Sequence, residues 1–383
     1  MRIGFVSILD ASDVTAWSGI PFQILTHMRK QGADVEVLSP LRTRIKYLFT
    51  PAKIAARFNK TSITLDHFPL VLRAYAKQID EFVRHRDIDV IFCPSTIPVT
   101  LVKSGKPIVT WTDAVFHGMH EYYGKTFANL TKSAAARGRW QEMTALRNCR
   151  IAAYASKWAF DGAREIAEES KLRILPFGSS LLVQHSMEDV RTAAIQKRLT
   201  RKNRCELLFV GVNWERKGGD IAVETARLLN EAGIETKLRV VGSTPPKRVP
   251  PFVEVLGFIS KHSEEGRRRL LDLFCSADIF ILPTKAEAAG IVFAEASSCG
   301  LPCITYATGG VTDYVRHGVN GVCIQPGGSA AQFADEVRRM LNSPADYEGY
   351  ATRAFQEYNE RLNWNHSVRQ LLGFCADSLR TEA

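Results

Sequence analysis

Glu287 and Glu295, eight residues apart in Glu287-Ala-Ala-Gly-Ile-Val-Phe-Ala-Glu295, are the side chains whose type and spacing most readily do chemistry. Ahead of them, Ile279-Phe280-Ile281-Leu282 is a short apolar run closed by Pro283, which reads as a buried strand and its stop. Behind them, residues 290–299 have helical character, with Gly300 and Pro302 as stop signals. One carboxylate is therefore predicted in a loop and the other inside a helix. Gly290 lets the backbone come close to a ligand, and the free N–H groups of the first helical turn, at Gly290, Ile291 and Val292, attract anions. A carboxylate beside such a turn accepts hydrogen bonds from neutral sugar hydroxyls and repels a second anion. The segment suits a ligand that is part phosphate and part sugar.

A second cluster points the same way. Leu207-Leu208-Phe209-Val210 reads as a strand, followed by Gly211-Val212-Asn213-Trp214-Glu215-Arg216-Lys217-Gly218-Gly219 and a helix from about Asp220. A strand, a glycine-containing loop and a helix start with two adjacent cations suit a diphosphate. The loop is not a P-loop, because the fixed glycine spacing and the Lys-Ser/Thr pair are missing. Taken alone, Arg216-Lys217-Gly218 would be a solvated basic loop; the two glutamates downstream give it weight.

These loops must be held by alternating strands and helices. Strands are predicted at 2–8, 34–38, 88–92, 107–111, 151–154 and 172–175, then at 206–211, 237–241, 253–256, 278–282, 302–305 and 321–324. Two such runs imply two parallel α/β domains of Rossmann type. The break between them is expected between about 183 and 204, where the apolar pattern lapses. A chain of 383 residues with 45% hydrophobic content can bury two cores. No apolar run approaches the roughly 18 to 20 residues of a membrane helix. Met1-Arg2-Ile3-Gly4-Phe5-Val6-Ser7, with Asp10 and Asp13 beyond, reads as a first strand and not a secretory signal. Eight cysteines without a CxxC spacing suggest reduced, buried thiols in a cytoplasmic protein.

The net charge of +10 is unevenly spread. Of the 50 Lys and Arg, 28 fall in residues 1–200, against 18 of the 40 Asp and Glu, so the whole excess lies there. It is densest at Arg42, Arg44, Lys46, Lys53, Arg57 and Lys60, interleaved with Tyr47, Leu48, Phe49, Ile54 and Phe58, and again over 132–150. Two readings stay open: a peripheral contact with anionic membrane or an acidic acceptor, or an ordinary solvated helix packing its apolar side on the core. No nucleic-acid-binding motif accompanies the charge.

With both clusters in place, the chain resembles the retaining glycosyltransferases of the GT-B fold, family 4 (glycosyl transferases group 1). Glu287 to Glu295 matches the family's glutamate–seven residues–glutamate motif, with Ala289 where the family usually has an aromatic residue. Ser297-Ser298-Cys299-Gly300-Leu301-Pro302, Thr308-Gly309-Gly310-Val311 and His317-Gly318-Val319-Asn320-Gly321 follow the family's order. The resemblance is strong over about 205–330 and weak in the N-terminal half. It implies an α/β GT-B fold, two Rossmann-like domains facing a central cleft. The acceptor domain would span 1–185 and the nucleotide-sugar donor domain 200–363, with a C-terminal helix over 364–383 crossing back to the first.

The resemblance also implies an activity: transfer of a hexosyl group from a nucleotide-diphosphate sugar, UDP- or GDP-linked, to a glycan or lipid-linked acceptor of the cell envelope. Configuration would be retained on one face, the leaving phosphate taking the acceptor's proton, with no metal or other cofactor. By family position Arg216 and Lys217 hold the pyrophosphate; the family's variant arginine place, after the strand's glycine, holds Val212. Glu287 would grip the donor sugar, Glu295 the ribose, and Gly290, Ile291 and Val292 the phosphate, while Phe258 in Gly257-Phe258-Ile259-Ser260 would lie near the base. Gly19, in Trp17-Ser18-Gly19-Ile20-Pro21-Phe22, would approach the donor or serve as a tight turn. Family members often have His-Asp where this chain has Thr112-Asp113, so Asp113 carries over as a catalytic and acceptor group. His117 would join it; His117-x-x-His120 lacks a third metal ligand with suitable spacing. Two other enzymes remain as alternatives, a nucleotide-sugar epimerase of the same fold and a glycoside hydrolase using Glu287 and Glu295. The hydrolase needs its carboxyls about 5 Å or roughly 6.5–9.5 Å apart.

Overall fold

A computed structural model describes residues 1–123, 129–181, 183–261 and 263–380, and the chain divides into two compact units. Unit 1 is Met1–Pro176 with Ser367–Ala383, and unit 2 is Phe177–His366. In unit 1 the strands are β1 (Arg2–Val6), β2 (Asp34–Leu38), β3 (Val90–Cys93), β4 (Ile108–Thr112), β5 (Ile151–Tyr154) and β6 (Leu172–Ile174). In unit 2 they are β7 (Arg204–Val210), β8 (Glu235–Val241), β9 (Val253–Gly257), β10 (Ile279–Leu282), β11 (Cys303–Tyr306) and β12 (Gly321–Ile324). All pairings are parallel. Helices cover both faces of such a sheet, which is why β3, β5, β10 and β11 are buried at every residue and show no polar alternation.

The sheet orders are β2-β1-β3-β4-β5-β6 and β12-β11-β10-β7-β8-β9. In unit 2 the chain leaves β7 toward β8 and β9, then crosses back to lay β10 on the other side of β7. Phe280 pairs with Leu208 across that junction. The connections leaving β7 and β10 part to opposite sides, which opens a crevice at the strands' C-terminal ends. Unit 1 has the same reversal between β1 and β3.

Much of the polar stretch read as a break is instead the helix Met187–Thr200, started by a capping box between Ser186 and Asp189. Few of its residues, Val190 and Ala194 among them, turn apolar surface inward. Ions hold it instead. Arg198 donates to the buried Asp278 carboxylate at 2.9 Å, and Arg201 and the Glu206 N–H reach the other oxygen at 3.2 and 2.8 Å. Removing one partner of a buried ion pair strands the other charge and costs about 3–5 kcal/mol. Asp278→Ala is therefore expected to lower the urea midpoint by that amount of stability at unchanged denaturant slope. A loss below about 0.5 kcal/mol would place the helix's anchorage elsewhere.

Candidate functional site

In unit 2 the loops leaving β7 and β10 meet. After β7, the Asn213 side chain accepts the Arg216 N–H at 2.9 Å and starts the short helix Trp214–Lys217. Gly218 ends it at φ +77°, a left-handed conformation, and a Cβ there would collide with the Pro283 carbonyl. Only glycine lets the two loops come this close. The Lys285 N–H donates to the Arg216 carbonyl at 2.8 Å, and Arg216 Nη1 donates to the Ala286 carbonyl at 2.7 Å.

That stitching fixes the charged groups. Lys217 Nζ pairs with Glu287 Oε2, and Arg216 Nη1 lies 3.7 Å from the same oxygen. The Lys217 side chain is 9% exposed, Glu287 16% and Arg216 30%, so the cluster is shielded at its centre and open on the arginine side. Low exposure strengthens each attraction, since the effective dielectric there is well below that of water.

Gly290 precedes the helix Ile291–Ser298 and offers no side-chain cap. Its φ is −111°, and a Cβ would come within 2.6 Å of the Phe293 ring, so packing of protein rings requires this glycine. Ile291 and Val292 are half-buried in the first turn. Glu295 is fully buried; Lys261 Nζ holds its Oε1, and its Oε2 has no hydrogen-bond partner among the described residues. Phe258, beyond β9, is 73% exposed. Sequence reasoning missed Lys261, because nothing in its surroundings along the chain links it to a residue 34 positions on.

In unit 1 a cavity of about 460 Å³ lies beyond the C-terminal ends of β1, β3 and β4, where ligands of such sheets bind. Ser7, Trp17, Thr96, Asp113, Phe116 and Glu142 contribute to its lining. Asp113 is thus inside it, whereas His117 lines a different cavity, with Nε2 3.3 Å from a Glu165 oxygen. The structure does not bring Asp113 and His117 into one cavity. Gly19 follows two further left-handed residues, Trp17 at φ 46° and Ser18 at 58°; strain at non-glycine residues concentrates at ligand-binding loops. A larger groove, about 760 Å³, is lined by Lys103, Lys106, Arg147, Arg150, Lys171 and Arg380, but it opens near the N-terminal ends of the strands, away from the crevice.

Residues 190–357 match the family described as glycosyl transferases group 1. A lipopolysaccharide glucosyltransferase, WaaG, of Escherichia coli is 33% identical over 178 residues, 45% of this chain and 48% of that protein. A D-inositol 3-phosphate glycosyltransferase of Acidothermus cellulolyticus is 28% identical over 227 residues, 56% of this chain and 49% of the other. The chain spans about half the length of these curated relatives. Among solved structures, a sucrose-phosphate synthase from Thermosynechococcus elongatus has a TM-score of 0.68 at 15% identity, covering 98% of both chains. Anabaena HepE in complex with UDP and glucose has a TM-score of 0.62 at 14% identity, covering 98% of this chain and 100% of that one. At such identities the likeness shows the fold, the two-domain α/β architecture of GT-B glycosyltransferases.

Glu142, which the sequence did not single out, gives the unit 1 cavity a signature in pH. Burial pushes its carboxyl up to about 7, against hydrogen bonds from Thr96 Oγ1 and the Phe116 backbone. With the folded value above the ordinary 4.5, the folded chain holds the proton more tightly. This stability is full below about pH 4.5 and is lost as pH rises through about 7. His67, which burial lowers to about 4, acts in the opposite sense and is common to both proteins compared. Relative to Glu142→Gln, the wild type is expected to lose about 3 kcal/mol between about pH 4.5 and 8. Parallel stability curves would show that Glu142 ionises freely in the fold.

Proposed function

We propose that this protein moves a hexosyl group from a nucleotide-diphosphate sugar, UDP- or GDP-linked, to a glycan or lipid-linked acceptor, retaining configuration. The observation that carries the proposal is the meeting of Lys217, Arg216 and Glu287 at the reversal of the unit 2 sheet. Two cations and one carboxylate, converging from two loops, suit a ligand with a diphosphate at one end and hydroxyls at the other. The match of residues 190–357 to a glycosyltransferase family supports it, as does the binding of UDP by a protein of this fold.

The chemistry follows from charge. Breaking the bond from sugar C1 to the diphosphate builds negative charge on the leaving oxygen and positive character on the sugar. Arg216, Lys217 and the N–H groups at Gly290, Ile291 and Val292 stabilise the first, and Glu287 holds sugar hydroxyls beside the second. Glu295, whose Oε2 has no partner among the described residues, takes the ribose, and the Phe258 loop borders the base. The acceptor hydroxyl attacks on the face the phosphate leaves and passes its proton to that phosphate. Asp113, in the unit 1 cavity, orients the acceptor.

Arg216→Ala with Lys217→Ala is expected to cost several kcal/mol in kcat/KM, at roughly 1.5–3 per charge-assisted hydrogen bond. Glu287→Gln should mainly lower kcat, because its contacts tighten as the sugar gains charge, and Glu295→Gln should mainly weaken nucleotide binding. Product analysis by proton NMR should show the donor's anomeric configuration, at a rate chelator leaves unchanged. Near wild-type activity in the double variant would remove the diphosphate role.

The basic segment supplies the second part of the proposal, a peripheral seat on an anionic membrane at the inner surface. Tyr47, Leu48, Ile54 and Phe58 are exposed, Phe58 at 84%, beside exposed Arg42, Arg44, Lys53, Arg57 and Lys60. Packing on the core holds for Phe49, which stacks on Phe68 at 4.1 Å, and for Ile45 and Ala56 in the same segment. Lys46 leaves the contact set, since it pairs with Asp66 at 2.6 Å. Among the described residues no helix is long and apolar enough to cross a membrane. Each cation near an anionic surface is worth about 1 kcal/mol, screened over about 8–10 Å. Binding to phosphatidylglycerol vesicles should fall with salt and with Lys53→Glu plus Arg57→Glu, leaving donor hydrolysis in solution unchanged. Indifference to such vesicles at low salt would make the segment an ordinary solvated face.

A further inference from the structure

Cys275 and Cys299 stand apart from the other cysteines. Cys275 lies in the last turn of the helix Glu264–Ser276, and Cys299 caps the C-terminus of the helix that carries Glu295. Their sulfurs are 2.9 Å apart, and His185 Nε2 is 3.4 Å from the Cys275 sulfur. The Lys197 ammonium, bonded to the Ala277 carbonyl at 2.6 Å, adds positive charge beside both. Cys275 is half-exposed, and a small cavity lined by His185, Lys197, Cys275 and Cys299 connects the pair to the surface.

We propose that Cys275 and Cys299 form a peroxide-reactive dithiol, with Cys275 as the attacking thiolate and Cys299 as the resolving thiol. The hydrogen bond between the two sulfurs, with His185 and Lys197 behind it, draws the Cys275 thiol well below the usual thiol range, while the same bond and burial raise Cys299. Burial pushes the thiols of Cys93, Cys149, Cys205, Cys303, Cys323 and Cys375 upward. The contrast makes one sulfur nucleophilic near neutrality and leaves the rest inert. Among the described residues no group of three or more His, Cys, Asp or Glu is placed to hold a metal ion.

The step balances. The Cys275 thiolate attacks one oxygen of hydrogen peroxide, the O–O bond breaks, and the departing hydroxide takes a proton to leave as water. Cys299 then attacks the sulfenic sulfur and gives up its proton; the S–O bond breaks, and a second water departs. Two thiols are oxidised to one disulfide and one peroxide is reduced to two waters. The bond joins the end of the helix bearing Glu295 to the helix Glu264–Ser276, so the oxidised form differs next to the donor site.

The test treats the reduced full-length protein with stoichiometric hydrogen peroxide at neutral pH and counts free thiols. Two of the eight should be lost, with peptide mapping placing a reducible bond between Cys275 and Cys299. Cys299→Ser should stop at a dimedone-reactive sulfenic acid on Cys275, and Cys275→Ser should keep its seven thiols. Limited iodoacetamide on the wild type, which needs no variant, should label Cys275 first. Retention of all eight thiols, first labelling elsewhere, or stoichiometric zinc binding abolished by Cys275→Ser would each overturn the proposal.

Discussion

A parallel strand cannot join its neighbour through a tight turn, so the chain must cross over a face of the sheet before the next strand is laid down. In unit 2 that rule puts β10 against β7 only after β8 and β9 have been placed on the other side. The candidate site depends on it. Lys217 and Glu287 are 70 residues apart, and they touch because the strands before them are hydrogen-bonded neighbours whose outgoing loops begin side by side. Gly218 completes the contact by admitting the Pro283 carbonyl where any side chain would stand. The candidate site therefore rests on backbone geometry first and on charge second.

Charge is used in two ways in the same unit. Asp278 is fully buried, with two guanidinium groups and a backbone N–H around it, and it fastens a weakly apolar helix to the sheet. The Asp278 carboxylate is paired within the protein, while the Arg198 Nε has no hydrogen-bond partner among the described residues. Around Glu287, Arg216 remains 30% exposed, and among the described residues one oxygen of the Glu295 carboxylate is unpartnered. Polar groups left unsatisfied in a shielded place are costly to the fold, and a ligand carrying phosphate and hydroxyls would meet their demand.

The sheets were largely legible because buried parallel strands are short runs of apolar residues. Ile279-Phe280-Ile281-Leu282 reads as a strand on its own, and the loop glutamate and the helical one were placed correctly relative to it. The helix Met187–Thr200 was not legible as a packed element, since it shows few apolar residues and its anchor is an aspartate some 80 positions away. Lys261, Glu142 and the two close cysteines were missed for the same reason: each owes its character to a partner distant in sequence. Gly290 illustrates the converse. Its position was read correctly, but its local cause is the Phe293 and Tyr314 rings that fill the space beside it.

The central claim is that the loops after β7 and β10 hold a nucleoside diphosphate together. Hydrogen exchange of the full chain with and without saturating UDP or GDP tests it without altering any residue. The account predicts slowed exchange in 211–219 and 285–292, extending to 257–261, with unit 2 strands already protected in both states. Saturable binding with no change in those segments, and protection confined to other loops, would contradict it.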